Sequence, residues 1–258
     1  MTLARSEPFA TPPASGSRLA TSRSLDRLRH SLEHRRMNRE DGRPPPDRGV
    51  PGASAAREYE RRKRARDHQI LMHHPFADKD VVAAREGPAH ERAFDIGSDG
   101  ERWVARVLDK RLDPNAIALH DRAVPERRGN IDHIVIAPSG IWVIDAKRYS
   151  GRLTLWQPAE GRGMLAIGKR DKTHLVDGLA KQVAIVEAAI ATHVPETRVH
   201  GALCFVETEL PRGRLKFERW HVLDAEQLAK RINITTPELE PQAVHRLADA
   251  LTRRFPPA

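Results

Sequence analysis

Two short apolar segments, Asn130–Ala137 (NIDHIVIA) and Ile141–Lys147 (IWVIDAK), flank Pro138-Ser139-Gly140 and constrain this chain more than any other feature. Both are rich in β-branched residues, and Pro-Ser-Gly is turn chemistry, so the stretch predicts an antiparallel hairpin. If Ala137–Gly140 is a four-residue loop, Ile136 pairs with Ile141 and Asp132 stands opposite Asp145. Side chains alternate along a strand, so Asp145 and Lys147 share a face and Asp132 joins them there. A slip of one residue would send Asp132 to the other side.

Directly opposed residues have Cβ atoms roughly 4.5–5.5 Å apart. Two carboxylates that close repel, and one is pushed toward protonation. A divalent cation removes this penalty, because both can reach a Mg²⁺ at about 2.0–2.1 Å. Such a metal lowers the pKa of its water and neutralises charge on a phosphate. Lys147 can hold the attacking water or stabilise the pentavalent phosphate. Together these residues are the minimum equipment for hydrolysing a phosphodiester. The competing explanation is an ordinary strand pair with two exposed aspartates and an exposed lysine. Against it, Asp145 ends the apolar run Ile141-Trp142-Val143-Ile144 and Asp132 interrupts Ile131…Ile134-Val135-Ile136. An unpaired charge is costly in such interior strands.

The rest of the chain reads as interleaved helices and strands, an α/β layered domain. Helices are expected at Glu91–Leu112 with a pause at Gly97–Gly100, at Leu175–His193, from the Asp224 capping box through Ile232, and at Pro241–Phe255. Ile117–Asp121 and Val199–Val206 read as strands, the latter fit for a sheet interior. Residues 151–157 and 163–168 read as a second hairpin. His133 should face away from Asp132 as a buried, hydrogen-bonded histidine, and Trp142 and Trp156 as core. Residues 91–258 form the expected globular domain. Residues 1–90 read as a basic, largely disordered extension, with one short helix candidate at Ser24–Met37 and another near 54–72, N-capped by Ser54.

The formal net charge is +9, and residues 1–90 hold 18 Lys and Arg against 12 Asp and Glu. Such an excess attracts polyanions. It fits a solvated tail as well as a nucleic-acid tether. The only cysteine, Cys204, lies in an apolar run and allows no internal disulfide, which suits a reducing compartment. No apolar stretch reaches the roughly 20 residues of a membrane span, and no secretory core opens the chain. The expected location is cytoplasmic, with no membrane partner.

Gly100-Glu101, Asn130-Ile131-Asp132-His133, Pro138-Ser139-Gly140, Ile144-Asp145-Ala146-Lys147 and Gly151 occur in the order and spacing of a known family. Over about residues 95–206 the chain resembles the nuclease-related domain (NERD) family of the PD-(D/E)xK superfamily. Gly168-Lys169-Arg170-Asp171-Lys172-Thr173 and Gln182 are similar to its pattern too. The resemblance implies a restriction-endonuclease-like α/β fold, a central mixed sheet flanked by helices. It implies a Mg²⁺- or Mn²⁺-dependent nuclease acting on nucleic acid, DNA first. Its implied catalytic set is Asp132, Asp145, Lys147, Glu101 and Gln182, with Asp132, Asp145 and Glu101 as metal ligands. The second acid is Asp where relatives commonly carry Glu. Arg148, Arg152, Lys169, Arg170 and Lys172 are candidates for phosphate contact or plain surface charge. Nicking both strands of a duplex calls for two sites, which leaves a homodimer open. The alternative function is a catalytically silent nucleic-acid-binding or scaffolding module.

Overall fold

In the computed structural model the elements run α1 (Ala53–His73), α2 (Lys79–Ala84), α3 (Ala89–Arg111), β1 (Ile117–Ala123), β2 (Asn130–Ala137), β3 (Gly140–Trp156), β4 (Met164–Ile167), β5 (Arg170–Asp171), α4 (His174–Ile190), β6 (Val199–Glu209), β7 (Lys216–Phe217), β8 (Trp220–Leu223), α5 (Ala225–Ile234) and α6 (Pro241–Arg254). The structure describes residues 44–85, 87–127, 129–193, 196–213 and 216–258, with only the backbone of 89–92. The expected helix at Ser24–Met37 lies outside them. Pro46–Ala258 form one unit.

The sheet order is β1-β2-β3-β6-β8-β7, with β4 and β5 continuing from the far half of β3. β1, β2 and β3 are antiparallel neighbours, whereas β3–β6 and β6–β8 are parallel. A parallel neighbour requires a crossover; here β4, β5 and α4 supply it between β3 and β6. The sheet is mixed and flanked by helices, as expected. One face is covered by Leu179, Val183 and Val186 of α4 and Val244, Leu247 and Leu251 of α6. The other is covered by Val104 and Leu108 of α3 and Leu228 and Ile232 of α5. The side chains of Ile134, Ile136, Ile141, Trp142, Val143 and Ile144 are wholly buried. Each such side chain contributes about 1.5–3 kcal/mol relative to exposure.

The hairpin takes the predicted register, with Ile136 opposite Ile141 and His133 opposite Ile144. Its turn is tighter than expected: Ala137 and Gly140 also pair, leaving only Pro138 and Ser139 between the strands. Gly140 permits this with φ 108°, a left-handed value that a Cβ would strain. The second hairpin forms as Trp156 opposite Met164 and Leu153 opposite Ile167, but its first arm is β3 itself. Trp156 is 56% exposed there, correcting its expected core position: Leu153 and Leu155 take the covered face of β3, and Trp156 alternates to the other.

Helix α3 runs through Gly97–Gly100 without the expected pause. A Cβ on Gly100 would lie 3.1 Å from the Arg148 Cβ, so the glycine allows close helix–strand approach rather than breaking the helix. The segment before α1 lies along β1: Arg48 accepts from the His120 N–H and donates to the Ala118 carbonyl. The buried Arg122 guanidinium donates to the Phe255 and Asp47 carbonyls, tying the end of α6 to that segment.

Candidate active site

The β2–β3 ladder ends at His133 and Ile144. Two residues further along β3, the Ala146 N–H is taken by the Asp132 carboxylate at 2.8 Å. A side chain thus replaces the backbone acceptor of a continued ladder, and the strands part at Asp132. Asp145, 5% exposed, sits beside this parting, and Lys147 Nζ lies 2.5 Å from its Oδ1. Alternation along β3 delivers that pair, since residues two apart share a face.

Glu101 enters from α3 and is 8% exposed. Burial pushes its carboxyl up to about 7; Asp121 and Asp145 add to the rise, while Lys147 and the Gly52 N–H oppose it. Its Oε2 is buried with no hydrogen-bond partner. Burial also raises Asp132 well above the ordinary aspartate range, reinforced by Glu101 and Asp145. Burial disfavours the Lys147 ammonium, but Asp145 and Asp132 outweigh it and hold the lysine above its usual range. Glu101, Asp132, Asp145 and Lys147 are therefore one electrostatic cluster, with more acid than base.

Asp121 is a further member that the sequence did not single out. It is 1% exposed and takes a left-handed φ of 49° on β1. The ladder pairs on either side, His120–His133 and Arg122–Ile131, set it opposite Asp132. Its carboxylate accepts from the Ser54 N–H and Oγ, both at 2.6 Å, and from Asn130 Nδ2 at 2.7 Å. The expected Ser54 cap is corrected accordingly. Gly52 is the N-cap residue of α1, and Ser54 lies in the first turn, where it gives its donors to Asp121. An anion at a helix N-terminus satisfies first-turn N–H groups. Helix α1 is thereby anchored against the cluster. A Cβ on Gly52 would lie 2.7 Å from the Ser98 carbonyl oxygen.

Gln182 projects from α4 with its Oε1 buried and unpartnered, and shares no hydrogen bond with the cluster among the described residues. His133 is fully buried; its Nδ1 lies 2.9 Å from His120 Nδ1, and burial holds its imidazole well below the usual range. It is the structural histidine expected. Arg148 is engaged by Glu207 at 2.7 Å and Asp99 at 3.4 Å. Lys172 Nζ lies 4.7 Å from the Tyr149 ring centroid. Arg152, Lys169 and Arg170 are exposed together on the β3–β4–β5 arm, where the Gly168 N–H donates to the Arg152 carbonyl. Four of the five candidate cations thus stand on that arm or beside it, and Arg148 is committed to acids.

Among the described residues no three His, Cys, Asp or Glu side chains converge as a metal-ligand set. Lys147 covers one Asp145 oxygen and the Ala146 N–H one Asp132 oxygen. The donor chemistry nevertheless suits a hard cation: all carboxylate oxygen, buried, with the orphaned Glu101 Oε2 beside it.

Residues 96–206 match the family described as the nuclease-related domain. The match opens within α3 and closes within β6, so it holds Glu101, Asp132, Asp145, Lys147 and Gln182 and leaves α1, α5 and α6 outside. A stretch of 59 residues is 44% identical to an uncharacterized protein of Bacillus anthracis, covering 21% of this chain and 27% of that protein. No solved structure matches the chain.

Proposed function

With residues 96–206 being a nuclease-related domain, we propose that this protein is a divalent-metal-dependent nuclease that hydrolyses phosphodiester bonds in DNA. The observation that carries the proposal is the buried cluster of Glu101, Asp132 and Asp145 around one lysine, at the point where two interior strands part. A protein holds that much like charge in its interior at a cost, and functional sites are where such costs are found.

Asp132, Asp145 and Glu101 would hold the ion, Mg²⁺ or Mn²⁺. Bound there, it would acidify its water and neutralise charge on the phosphate. Lys147 stays protonated through the physiological range and presents a fixed positive charge to a phosphate or an attacking water. Without metal, burial pushes the Glu101 carboxyl up to about 7, and a bound cation would favour its ionised form. His133 takes no part as a base, because it is sealed in the core against His120. Arg152, Lys169, Arg170 and Lys172 would follow the phosphate backbone past the site, giving contacts that position without reading sequence. One chain supplies every residue of this candidate site. Among the described residues no helix is long and apolar enough to cross a membrane.

The test is cleavage of single- and double-stranded DNA by the full chain with Mg²⁺, Mn²⁺ or chelator. Wild type should cut only with metal, and Asp145→Ala and Lys147→Ala should not cut. If wild type and Asp145→Ala behave identically on every substrate, the nuclease reading fails and the silent binding module takes its place.

A further inference from the structure

A cleft of about 1050 Å³ opens on the β6–β8–β7 side of the sheet, between the ends of α4 and α5. No residue of the acidic cluster lines it. Asp145 and Lys147 pair with Leu203 and Phe205 of β6, whereas the cleft lies toward that strand's start, where His200 pairs with Trp142. Its walls bring together Arg198, Lys216, Arg219 and Arg231 with His200 and His221.

The acids on the walls are Glu187 and Glu196, both exposed. Glu238 lies 3.7 Å from the Arg198 guanidinium. Burial and then Lys216, His200 and Arg231 push the His221 imidazole down to about 4. His200 stacks on Trp142 with ring centroids 4.3 Å apart, and its Nε2 is buried without a partner. Like charges converging on a concave surface repel one another, and an anion in the concavity relieves the repulsion.

Two features distinguish a chain of phosphates from a single small anion. The four cations come from four separate places: the approach to β6, strand β7, the β7–β8 turn and α5. They line a cleft at the upper end of the roughly 300–1000 Å³ of small-ligand pockets. The aromatic rings nearby are also closed to bases: Trp142 is wholly buried, Trp220 is 4% exposed, and the Arg219 guanidinium lies 4.2 Å from the Trp220 ring centroid. Strand binding without stacking is backbone binding.

We propose that this cleft is a second nucleic-acid site, in which Arg198, Lys216, Arg219 and Arg231 follow the phosphates of a single strand without reading its bases. The ligand class rests on the nucleic-acid reading of the domain; the site does not depend on catalysis. Three of its four cations, Lys216, Arg219 and Arg231, lie outside residues 96–206.

The experiment is fluorescence anisotropy with a labelled single-stranded DNA of about 20 nucleotides, the full chain and chelator present, so that no hydrolysis occurs. Lys216→Ala/Arg231→Ala is compared with wild type and with Arg253→Ala, an exposed position on α6 outside both sites, and thermal melts check that each variant is folded. Arg198→Ala/Arg219→Ala, at two exposed positions, serves as a second variant. Each double variant should bind at least about tenfold more weakly at about 100 mM salt, and its slope of log Kd on log salt should fall by about 1.4. Arg253→Ala should bind within about twofold of wild type. Affinities within about twofold of wild type for both double variants would overturn the proposal. So would displacement of the DNA by micromolar pyrophosphate, which marks a small-anion site. Failure here leaves metal-dependent cleavage standing, and a chain that binds through this cleft but never cuts removes only the nuclease reading.

Discussion

Replacing Glu101 by glutamine should stabilise the metal-free protein while abolishing the proposed metal-dependent cleavage. Glu101 rises from 4.5 to about 7 on folding, with burial the leading cause. Below about pH 4.5 the carboxyl is protonated in both folded and unfolded chains, and the shift has no effect. Between 4.5 and 7 the unfolded chain has released its proton while the folded one retains it, so folded protein binds more protons and stability falls as pH rises. Above about 7 the loss is complete. At 1.36 kcal/mol per unit, the penalty is about 3 kcal/mol. Glutamine keeps the shape and carries no charge, so Glu101→Gln should match wild type near pH 4.5 and exceed it by about 3 kcal/mol at pH 8. For a unit of this size that is roughly 6–12 °C in Tm. Urea denaturation of both proteins in chelator, at pH 4.5, 6 and 8, measures the difference. A gain that is the same at all three pH values would refute the electrostatic account, and a loss at pH 8 would reverse it. Adding Mg²⁺ at pH 8 should then stabilise wild type more than the variant.

Lys147→Met should destabilise the fold by about 2–4 kcal/mol, because it strips the cation from buried carboxylates; an unchanged denaturation midpoint at pH 8 counts against the cluster. Gly201→Ala places a Cβ 2.5 Å from the Trp220 ring and 3.0 Å from Val183, so a loss of about 1–3 kcal/mol is expected, read as a drop in Tm. The Cys204 thiol is fully buried and pushed far up by that burial. It should resist a thiol reagent in the native chain and react fully in denaturant; rapid native labelling would contradict the packing of β6.

Much of the candidate site's geometry was legible because its central part is local. A hairpin links residues thirteen apart through one turn, and period-two alternation then decides which side chains meet. Asp132, Asp145 and Lys147 follow from the turn residues and the apolar runs alone. The tighter Pro138-Ser139 turn leaves the register unchanged because Ala137 and Gly140 simply form one more pair. The amphipathic helices α4 and α6 were equally readable, their apolar stripes having a partner face on any sheet.

The partners that come from afar were not legible. Ser54 and Asp121 are 67 residues apart, and neither residue type announces the other. Strands β7 and β8 hold two and four residues, too few for a periodic signal. Nor did the exposed Trp156 declare itself, since an apolar residue on a strand is covered or bare according to what packs above it. The local chain chose the hairpin and the facing of its charges. Only the packed structure decided that α1 closes over the cluster, which carboxyls lose their water, and which distant cations share a cleft. Desolvation and long-range charge depend on neighbours in space, and chain order does not list them.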